Sequence, residues 1–239
     1  MSQRSKKKIV IRITRIAAAV ICLSLIIGLI YYLWANPWWN NHGTSLTSET
    51  KDYSQEFKIP QVHSSHDADH DGIDDQIDML KSARAYVASH PRYKSKYYSG
   101  GYPTDRYGVC TDVVAAAFKG TGYDLRLMVD ADIRSNLKIY GLASADNNID
   151  YRRVKNLRIY FPRAAARGQF ISLTTDVKKI KDWQGGDIVI FANHVALVSN
   201  KRDSHGIPYV IHLHDPNQKS YEQDYLPGRT DIVGHYRLA

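Results

Sequence analysis

The sequence Gly-Val-Cys-Thr-Asp-Val at residues 108–113 places a cysteine where a loop changes into an apolar run. The alanine-rich run over 113–118 predicts a buried helix, with Cys110 in its first turn. Because a helix N-terminus offers unpaired N–H groups and a partial positive charge, it favours a thiolate and suits an oxyanion. The prediction is a reactive thiol of lowered pKa. The alternative is a packed structural cysteine, since cysteine is often buried.

Two histidines stand at the ends of predicted strands further along the chain. His194 opens one apolar strand, and His212 ends the apolar part of the next. Adjacent antiparallel strands bring such imidazoles side by side. A cysteine nucleophile needs a base, and the base needs an orienting partner, so these histidines suit the two roles beside Cys110. His214 and His235 also lie on predicted strands and compete for the orienting role.

The chain has two cysteines, and we expect no disulfide between them because Cys22 lies inside a long apolar run. An unpaired cysteine in an exported protein is a candidate reactive thiol. Zinc binding by Cys110 and several histidines is the other interpretation. It is the weaker one, because the sequence has neither a CxxC nor an HExxH motif.

An acidic loop spans residues 67–78, with aspartates at loop positions 1, 3, 5, 9 and 12 and Gly72 at position 6. This spacing wraps oxygen ligands around one Ca²⁺, and the glycine permits the sharp turn. The alternative is a solvated turn that caps the following helix. The loop departs from an EF-hand in its final aspartate, where that motif has glutamate. The predicted ligands of a structural calcium ion are Asp67, Asp69, Asp71, the carbonyl of Ile73, Asp75 and Asp78.

The N-terminal part of the 239-residue chain predicts a membrane anchor. Residues 1–15 carry six basic and no acidic side chains, and 16–34 is an uncharged apolar run followed by aromatic residues. We therefore expect a cytoplasmic tail, one transmembrane segment over 16–34, a polar linker over 35–63, and an extracytoplasmic domain over 64–239. A cleaved signal peptide is the alternative, but no Ala-x-Ala site follows the run.

The charge distribution argues against a nucleic-acid partner. The net charge is +8, and it falls to about +2 without the six basic residues of the tail. The domain therefore offers little electrostatic attraction for nucleic acid. The sequence indicates no oligomeric state.

The domain itself predicts an α+β fold, in which N-terminal helices pack on an antiparallel sheet. Apolar residues at helical spacing predict helices over 76–90, 123–140 and 150–161, and Pro162 is expected to stop the third. Alternating and apolar runs predict a four-stranded antiparallel meander over 188–191, 194–198, 208–214 and 232–237.

The order of these motifs resembles the NlpC-type cell-wall cysteine peptidases. The similarity lies in a Tyr-x-x-Gly-Gly element at 97–101, the cysteine at a helix start, Gly-Gly-Asp-Ile-Val at 185–189 and a strand-opening histidine. The Gly-Val-Cys-Thr-Asp-Val, Asn-His-Val-Ala and Gly-His-Tyr-Arg sequences are closer still to a bacterial family of unknown function in that superfamily. The usual Asp-Cys-Ser-Gly is Val-Cys-Thr-Asp here, and Asp112 adds negative charge near the thiol.

The resemblance implies a papain-like fold and a Cys-His-His triad of Cys110, His194 and His212. It implies Tyr97 as a contact near the oxyanion, and Asp112 and Asn193 are further candidates for substrate contact. The expected function is a membrane-anchored extracytoplasmic cysteine hydrolase acting on amide bonds of peptidoglycan peptides, with transfer to another amine as a related outcome. The alternative is a catalytically silent, calcium-stabilised binding protein on the same scaffold.

Overall fold

A computed structural model describes residues 51–239, together with the helical residues Ser24, Ile26 and Gly28. The chain divides into two compact units, Met1–Thr44 and Ser45–Ala239. The predicted basic tail, transmembrane segment and first part of the linker therefore lie outside the described residues, apart from those three. None of the helices formed by the described residues has both the length and the apolar character that a membrane span needs.

Helices make up the first half of the second unit. Those that begin at Asp75, Cys110 and Leu125 lie within two residues of the predicted starts, whereas the helix predicted from residue 150 begins at Val154, after a 3₁₀ turn. The helix that follows the acidic loop is capped by Asp74, whose side chain accepts the N–H of Ile77. The pattern over 123–140 is two helices, because the chain turns at Asn136. The helices are α1 (Ser54–Phe57), α2 (Asp75–Ala88), α3 (Cys110–Gly120), α4 (Leu125–Ser135), α5 (Leu137–Tyr140), a 3₁₀ turn (Asp150–Arg152) and α6 (Val154–Ala166).

The expectation that Pro162 ends its helix is wrong, because α6 continues through it to Ala166. An interior proline leaves one carbonyl without an N–H partner and costs roughly 3 kcal/mol. The carbonyl that loses this partner belongs to Arg158, which is an exposed residue. Burial of Phe161 and Ala164 on either side of the proline offsets the cost.

The second half forms a six-stranded antiparallel sheet in the order β3-β8-β4-β5-β6-β7. Two short parallel strands, β1 and β2, form a separate ribbon before the cysteine. The strands are β1 (Arg92–Tyr93), β2 (Tyr107–Gly108), β3 (Phe170–Ser172), β4 (Ile188–Phe191), β5 (Val195–Arg202), β6 (Pro208–Ile211), β7 (Glu222–Gln223) and β8 (Ile232–Leu238).

The sheet corrects the predicted meander in one respect. Strands β4, β5 and β6 follow one another as expected, but β7 rather than β8 is the fourth strand of the meander. Strand β8 returns to the opposite side of β4, with Ile188 paired to Tyr236. Because both faces of β4 are buried, an unpaired β4 edge would leave buried backbone groups without partners, and β8 supplies them.

The α3 helix lies in the core between α2 and the sheet. Its side chains Val113, Val114 and Phe118 are fully buried in one cluster with Met79 of α2 and Leu197 of β5. A second, smaller cluster around Trp183 covers the other face of the sheet. The cysteine at the start of α3 is therefore held against the sheet by packing along the whole helix.

Part of the segment predicted as a linker packs on the sheet. The N–H of Tyr53 donates to the carbonyl of Arg202, and the hydroxyl of Tyr209 donates to the carbonyl of Lys51. Phe57 of α1 lies against Gly206, where a Cβ would meet its ring at 2.9 Å. The compact domain thus includes residues from 51 onward.

Candidate active site

The α3 helix begins at Cys110, as the sequence predicts. The backbone N–H groups of Val195, Thr111 and Cys110 itself are directed at the sulfur. Val195 begins β5 and directly follows His194. The thiol therefore lies at the junction of the helix N-terminus and the strand that carries the predicted base.

The expected lowering of the thiol pKa is wrong. Burial raises the pKa of Cys110 to about 11, and the charge of Asp112 acts in the same direction against the N–H groups that lower it. The cysteine is only 8% exposed, so the loss of hydration raises the pKa of the thiol by more than the N–H groups at the helix N-terminus lower it. The resting site holds a neutral thiol.

The predicted juxtaposition of the two imidazoles is found. Nε2 of His194 lies 2.9 Å from Nδ1 of His212, and Nε2 of His212 lies 2.7 Å from Oε1 of Gln223. His212 is fully buried and His194 is 9% exposed. Burial lowers the pKa of His212 to about 3 and that of His194 well below its ordinary value, so both rings are neutral at pH 7.

These hydrogen bonds determine which ring nitrogens carry a proton in the series His194–His212–Gln223. The amide oxygen of Gln223 only accepts, so Nε2 of His212 carries its proton and donates to it. Nδ1 of neutral His212 is then an acceptor, and Nε2–H of His194 donates to it. The remaining ring nitrogen of His194, Nδ1, is left unprotonated. His194 is therefore in the tautomer that can accept a proton from a thiol.

Aromatic side chains surround the series. The ring of Tyr225 lies 4.5 Å from that of His212 and 5.6 Å from that of His194, and the guanidinium of Arg229 covers its face at 4.5 Å. The phenols of Tyr225 and half-buried Tyr93 interact electrostatically with the Cys110 thiol. This aromatic enclosure keeps water from the site and strengthens its hydrogen bonds.

The three residues predicted to contact substrate lie in different settings. Tyr97 is 59% exposed, and its hydroxyl interacts with Asp146 and Asn148, so it belongs to that loop. Tyr93 is the tyrosine of this segment that interacts with the thiol. Asn193 is exposed in the turn between β4 and β5, next to His194.

The prediction that Asp112 contacts a substrate is wrong, because its carboxylate is buried and already paired. It is 3% exposed, and both of its carboxylate oxygens accept hydrogen bonds from Arg152. Its Oδ2 also accepts the N–H of Val109 at 2.8 Å. Asp112 therefore fixes the backbone that precedes the cysteine.

The two competing histidines are also placed. His235 lies in a separate buried network, where its ring contacts the carbonyl of Thr174 and the carboxylate of Asp187 and stacks on Trp183 at 3.8 Å. His214 stays near the site, with its ring 4.6 Å from that of His212. The hydrogen bond between the first two histidines assigns the orienting position to His212.

The acidic loop brings three of the predicted ligands together. Asp67, Asp69 and Asp71 have carboxylate oxygens within 4.8 Å of one another, and no other such group of His, Cys, Asp or Glu occurs among residues 51–239. The described cysteine and histidines therefore do not form a preassembled zinc site. Asp75 and Asp78 are buried in the first turn of α2, at the end of the loop.

Sequence reasoning missed Gln223, Arg152 and Tyr225. Gln223 lies in a two-residue strand within a polar stretch, which carries no periodic signal. Arg152 stands 40 residues from its partner Asp112, so no local pattern indicates the pair. Tyr225 follows β7 closely, and the only available signal was an aromatic residue near the predicted strands.

Comparisons with known proteins agree with the extent of this domain. The family model described as "Domain of unknown function (DUF1287)" matches residues 80–238. The chain is 34% identical over 156 residues to "Uncharacterized protein YijF" of Escherichia coli (strain K12). The aligned region covers 62% of this chain and 72% of that protein. No solved structure matches. The family match includes the cysteine and both histidines and begins after the acidic loop, and the chain belongs to the DUF1287 family.

Proposed function

We propose that this chain is a membrane-anchored, extracytoplasmic cysteine hydrolase that cleaves amide bonds in peptidoglycan peptides. The observation that carries the proposal is the series His194–His212–Gln223, which leaves His194 able to accept a proton. His194 directly precedes Val195, whose N–H is directed at the Cys110 sulfur. The α+β architecture, with a cysteine at a helix start packed on an antiparallel sheet, suits an NlpC-type, papain-like domain.

The chemistry follows from a neutral resting pair. The Cys110 sulfur attacks the amide carbonyl while its proton passes to Nδ1 of His194, so charge appears only as the reaction proceeds. The C–N bond breaks as His194 returns the proton to the leaving amine, which leaves a thioester. Water, deprotonated by His194, attacks the thioester carbonyl and releases the acid and the thiol. An amine in place of water gives the transferase outcome.

The cell-wall substrate and the compartment rest on the sequence. The apolar run over 16–34 and the six basic residues before it support an anchor with the domain outside the membrane. A thiol hydrolase in that place faces peptidoglycan, whose peptides contain the amide bonds that this chemistry cleaves. The resemblance to NlpC-type peptidases supports the same substrate class.

A second candidate is a catalytically silent binding protein, and burial of the thiol favours it. With Cys110 8% exposed and Tyr225 5% exposed, a substrate carbonyl reaches the sulfur only after local opening. In a silent protein the same series of hydrogen bonds would serve packing alone.

Digestion of purified peptidoglycan by the full-length protein in detergent separates the two. We expect wild type to release fragments whose masses identify the bond, and Cys110→Ala and His194→Ala to release none. Cys22→Ala and His205→Ala are matched controls, because one changes the other cysteine and the other an exposed histidine. Equal release by Cys110→Ala, or no release by folded wild type, would exclude the hydrolase.

A further inference from the structure

We propose that the acidic loop and the first turn of α2 bind one Ca²⁺, and that this ion joins the loop to α2, which packs against the helix that carries Cys110. This inference does not rest on the proposed hydrolase activity. The donors are the carboxylates of Asp67, Asp69 and Asp71, with Asp78 completing the set from the helix.

The loop is already folded around the space between its carboxylates. Oδ2 of Asp67 accepts the N–H of Gly72 at 2.9 Å, and Oδ1 of Asp71 accepts the N–H of Ile73 at 2.9 Å. Gly72 has φ +91°, a conformation that side chains other than glycine rarely adopt. These contacts hold three carboxylate groups within 4.8 Å of one another.

The independent observation is Asp78. Its side chain is 5% exposed, and its Oδ2 atom is buried without a hydrogen-bond partner, while Oδ1 lies 3.5 Å from Nζ of Lys81. The charges of Asp71 and Asp69 act on the same carboxyl. A buried carboxylate oxygen without a hydrogen-bond partner is costly unless a cation binds it.

The donor set selects the ion. All of these ligands are hard oxygens on a flexible loop, which suits Ca²⁺ with its six to eight ligands and disfavours zinc, which takes nitrogen and sulfur. The last ligand is the shorter aspartate, where an EF-hand has a bidentate glutamate. We therefore expect a weak site, with a dissociation constant on the order of 10⁻⁴–10⁻³ M, as in extracellular modules.

The acidic loop contacts the chain at the C-terminal end of α3. Gly122, just after α3, has φ +80°, and a Cβ on it would lie 3.1 Å from Cβ of Asp69. On the other side, Gln76 of α2 donates from Nε2 to the carbonyl of Gly185 and to the carboxylate of Asp187. An ion in the loop therefore stabilises α2 and, through it, the contacts of both α3 and the sheet.

Calcium titration of the metal-free full-length protein, followed by calorimetry and thermal unfolding, tests the site. We expect one Ca²⁺ per chain for wild type, and affinity at least tenfold lower for Asp71→Asn and Asp78→Asn. Relative to wild type, the melting temperature of Asp78→Asn should change in opposite directions with and without calcium. Without calcium it should exceed that of wild type, because a repelled charge is gone, and in saturating calcium it should fall below it.

Asp182→Asn is the matched control, because it neutralises an exposed aspartate outside the loop and should bind calcium as wild type does. If Asp78→Asn does not fold, the exposed Asp71→Asn gives the same test of affinity. Absence of binding to wild type at millimolar calcium, or wild-type affinity in both loop variants, would overturn the inference. Peptidoglycan digestion is measured separately, so loss of activity with intact calcium binding concerns the hydrolase alone.

Discussion

Asp112 and Arg152 form a two-point ion pair, with Nε 2.7 Å from Oδ1 and Nη2 2.8 Å from Oδ2, in the first turn of α3. The remaining N–H groups of the arginine reach the carbonyl of Lys96, and its guanidinium lies 5.0 Å from the ring centre of Tyr98. One buried cation thus joins three chain segments, those of Arg152, Lys96–Tyr98 and Asp112, and Asp112 in turn accepts the N–H of the residue before Cys110.

Arg152→Met should destabilise the domain by about 3–5 kcal/mol, because it leaves the Asp112 carboxylate buried without its partner. The side chains of the pair are 1% and 2% exposed. Urea unfolding measures the loss. Arg134→Met, which breaks an ion pair whose arginine is 58% exposed, is the control and should cost no more than about 1 kcal/mol. Similar costs for both variants would contradict this account of the buried pair.

Gln223→Met should lower the rate of peptidoglycan cleavage about tenfold or more. Without the amide oxygen, His212 can move its proton to Nδ1, and a wrong tautomer in a triad costs up to about 10⁴-fold. Gln223→Glu should restore the hydrogen bond and raise the pKa of His212, which moves the acidic limb of the pH–rate profile to higher pH. A purely structural glutamine would give slower variants with an unchanged profile.

Stability should fall as the pH falls from about 6.5 towards 3. Burial lowers the pKa of His212 to about 3 and that of His194 well below 6.5, so the unfolded chain binds more protons in this range. Each such histidine contributes stability that is complete above its unfolded pKa and decreases by roughly 1.4 kcal/mol per pH unit below it.

Urea unfolding at pH 7, 6 and 5 measures this slope. The double variant His194→Gln, His212→Gln should show a shallower slope, whereas His66→Gln, His205→Gln, which changes two exposed histidines, should keep that of wild type. Paired carboxylates whose pKa lies below its ordinary value, such as those of Asp187 and Glu222, lose stability only at lower pH. Parallel slopes for wild type and the first variant would show that the two buried rings do not resist protonation.

Gly120→Ala should destabilise the contact between α2 and α3 by about 1–3 kcal/mol. An added Cβ would lie 1.7 Å from Oγ and 2.4 Å from Cβ of Ser82. Ser82→Gly in the same chain should recover most of this loss, whereas Ser82→Ala keeps the Cβ and should recover little. Double-mutant cycles from thermal unfolding measure the coupling, and additive effects would exclude the contact.

Local signals in the sequence were sufficient to predict the start of α3 at Cys110 and the adjacency of His194 and His212. The first depends on a loop-to-helix change within a few residues, and the second on neighbouring strands with a short connection. The thiol pKa was predicted in the wrong direction, because burial is a property of the whole packed domain. The helix N-terminus, which the sequence does reveal, is the smaller effect.

Contacts between distant segments were beyond the sequence patterns. Nothing local to Arg152 indicates Asp112, and nothing local to β8 indicates that it pairs with β4 rather than with the strand before it. The polar stretch around Gln223 has too few residues in strand for alternation to appear. Pro162 shows the reverse case, in which a strong local signal to end a helix is outweighed by packing on both sides.

The position of β8 determines when the fold can close. Strand β4 ends at Phe191, yet its second neighbour is supplied by residues 232–238, after three intervening strands. Until those residues are available, the Asp187 carboxylate also lacks two of its partners, buried His235 and partly buried Arg237. A chain that emerges from its N-terminus therefore exposes an apolar strand edge until nearly all of the domain has appeared. Such non-local pairing predicts slow folding, with the native sheet completed late and in one step.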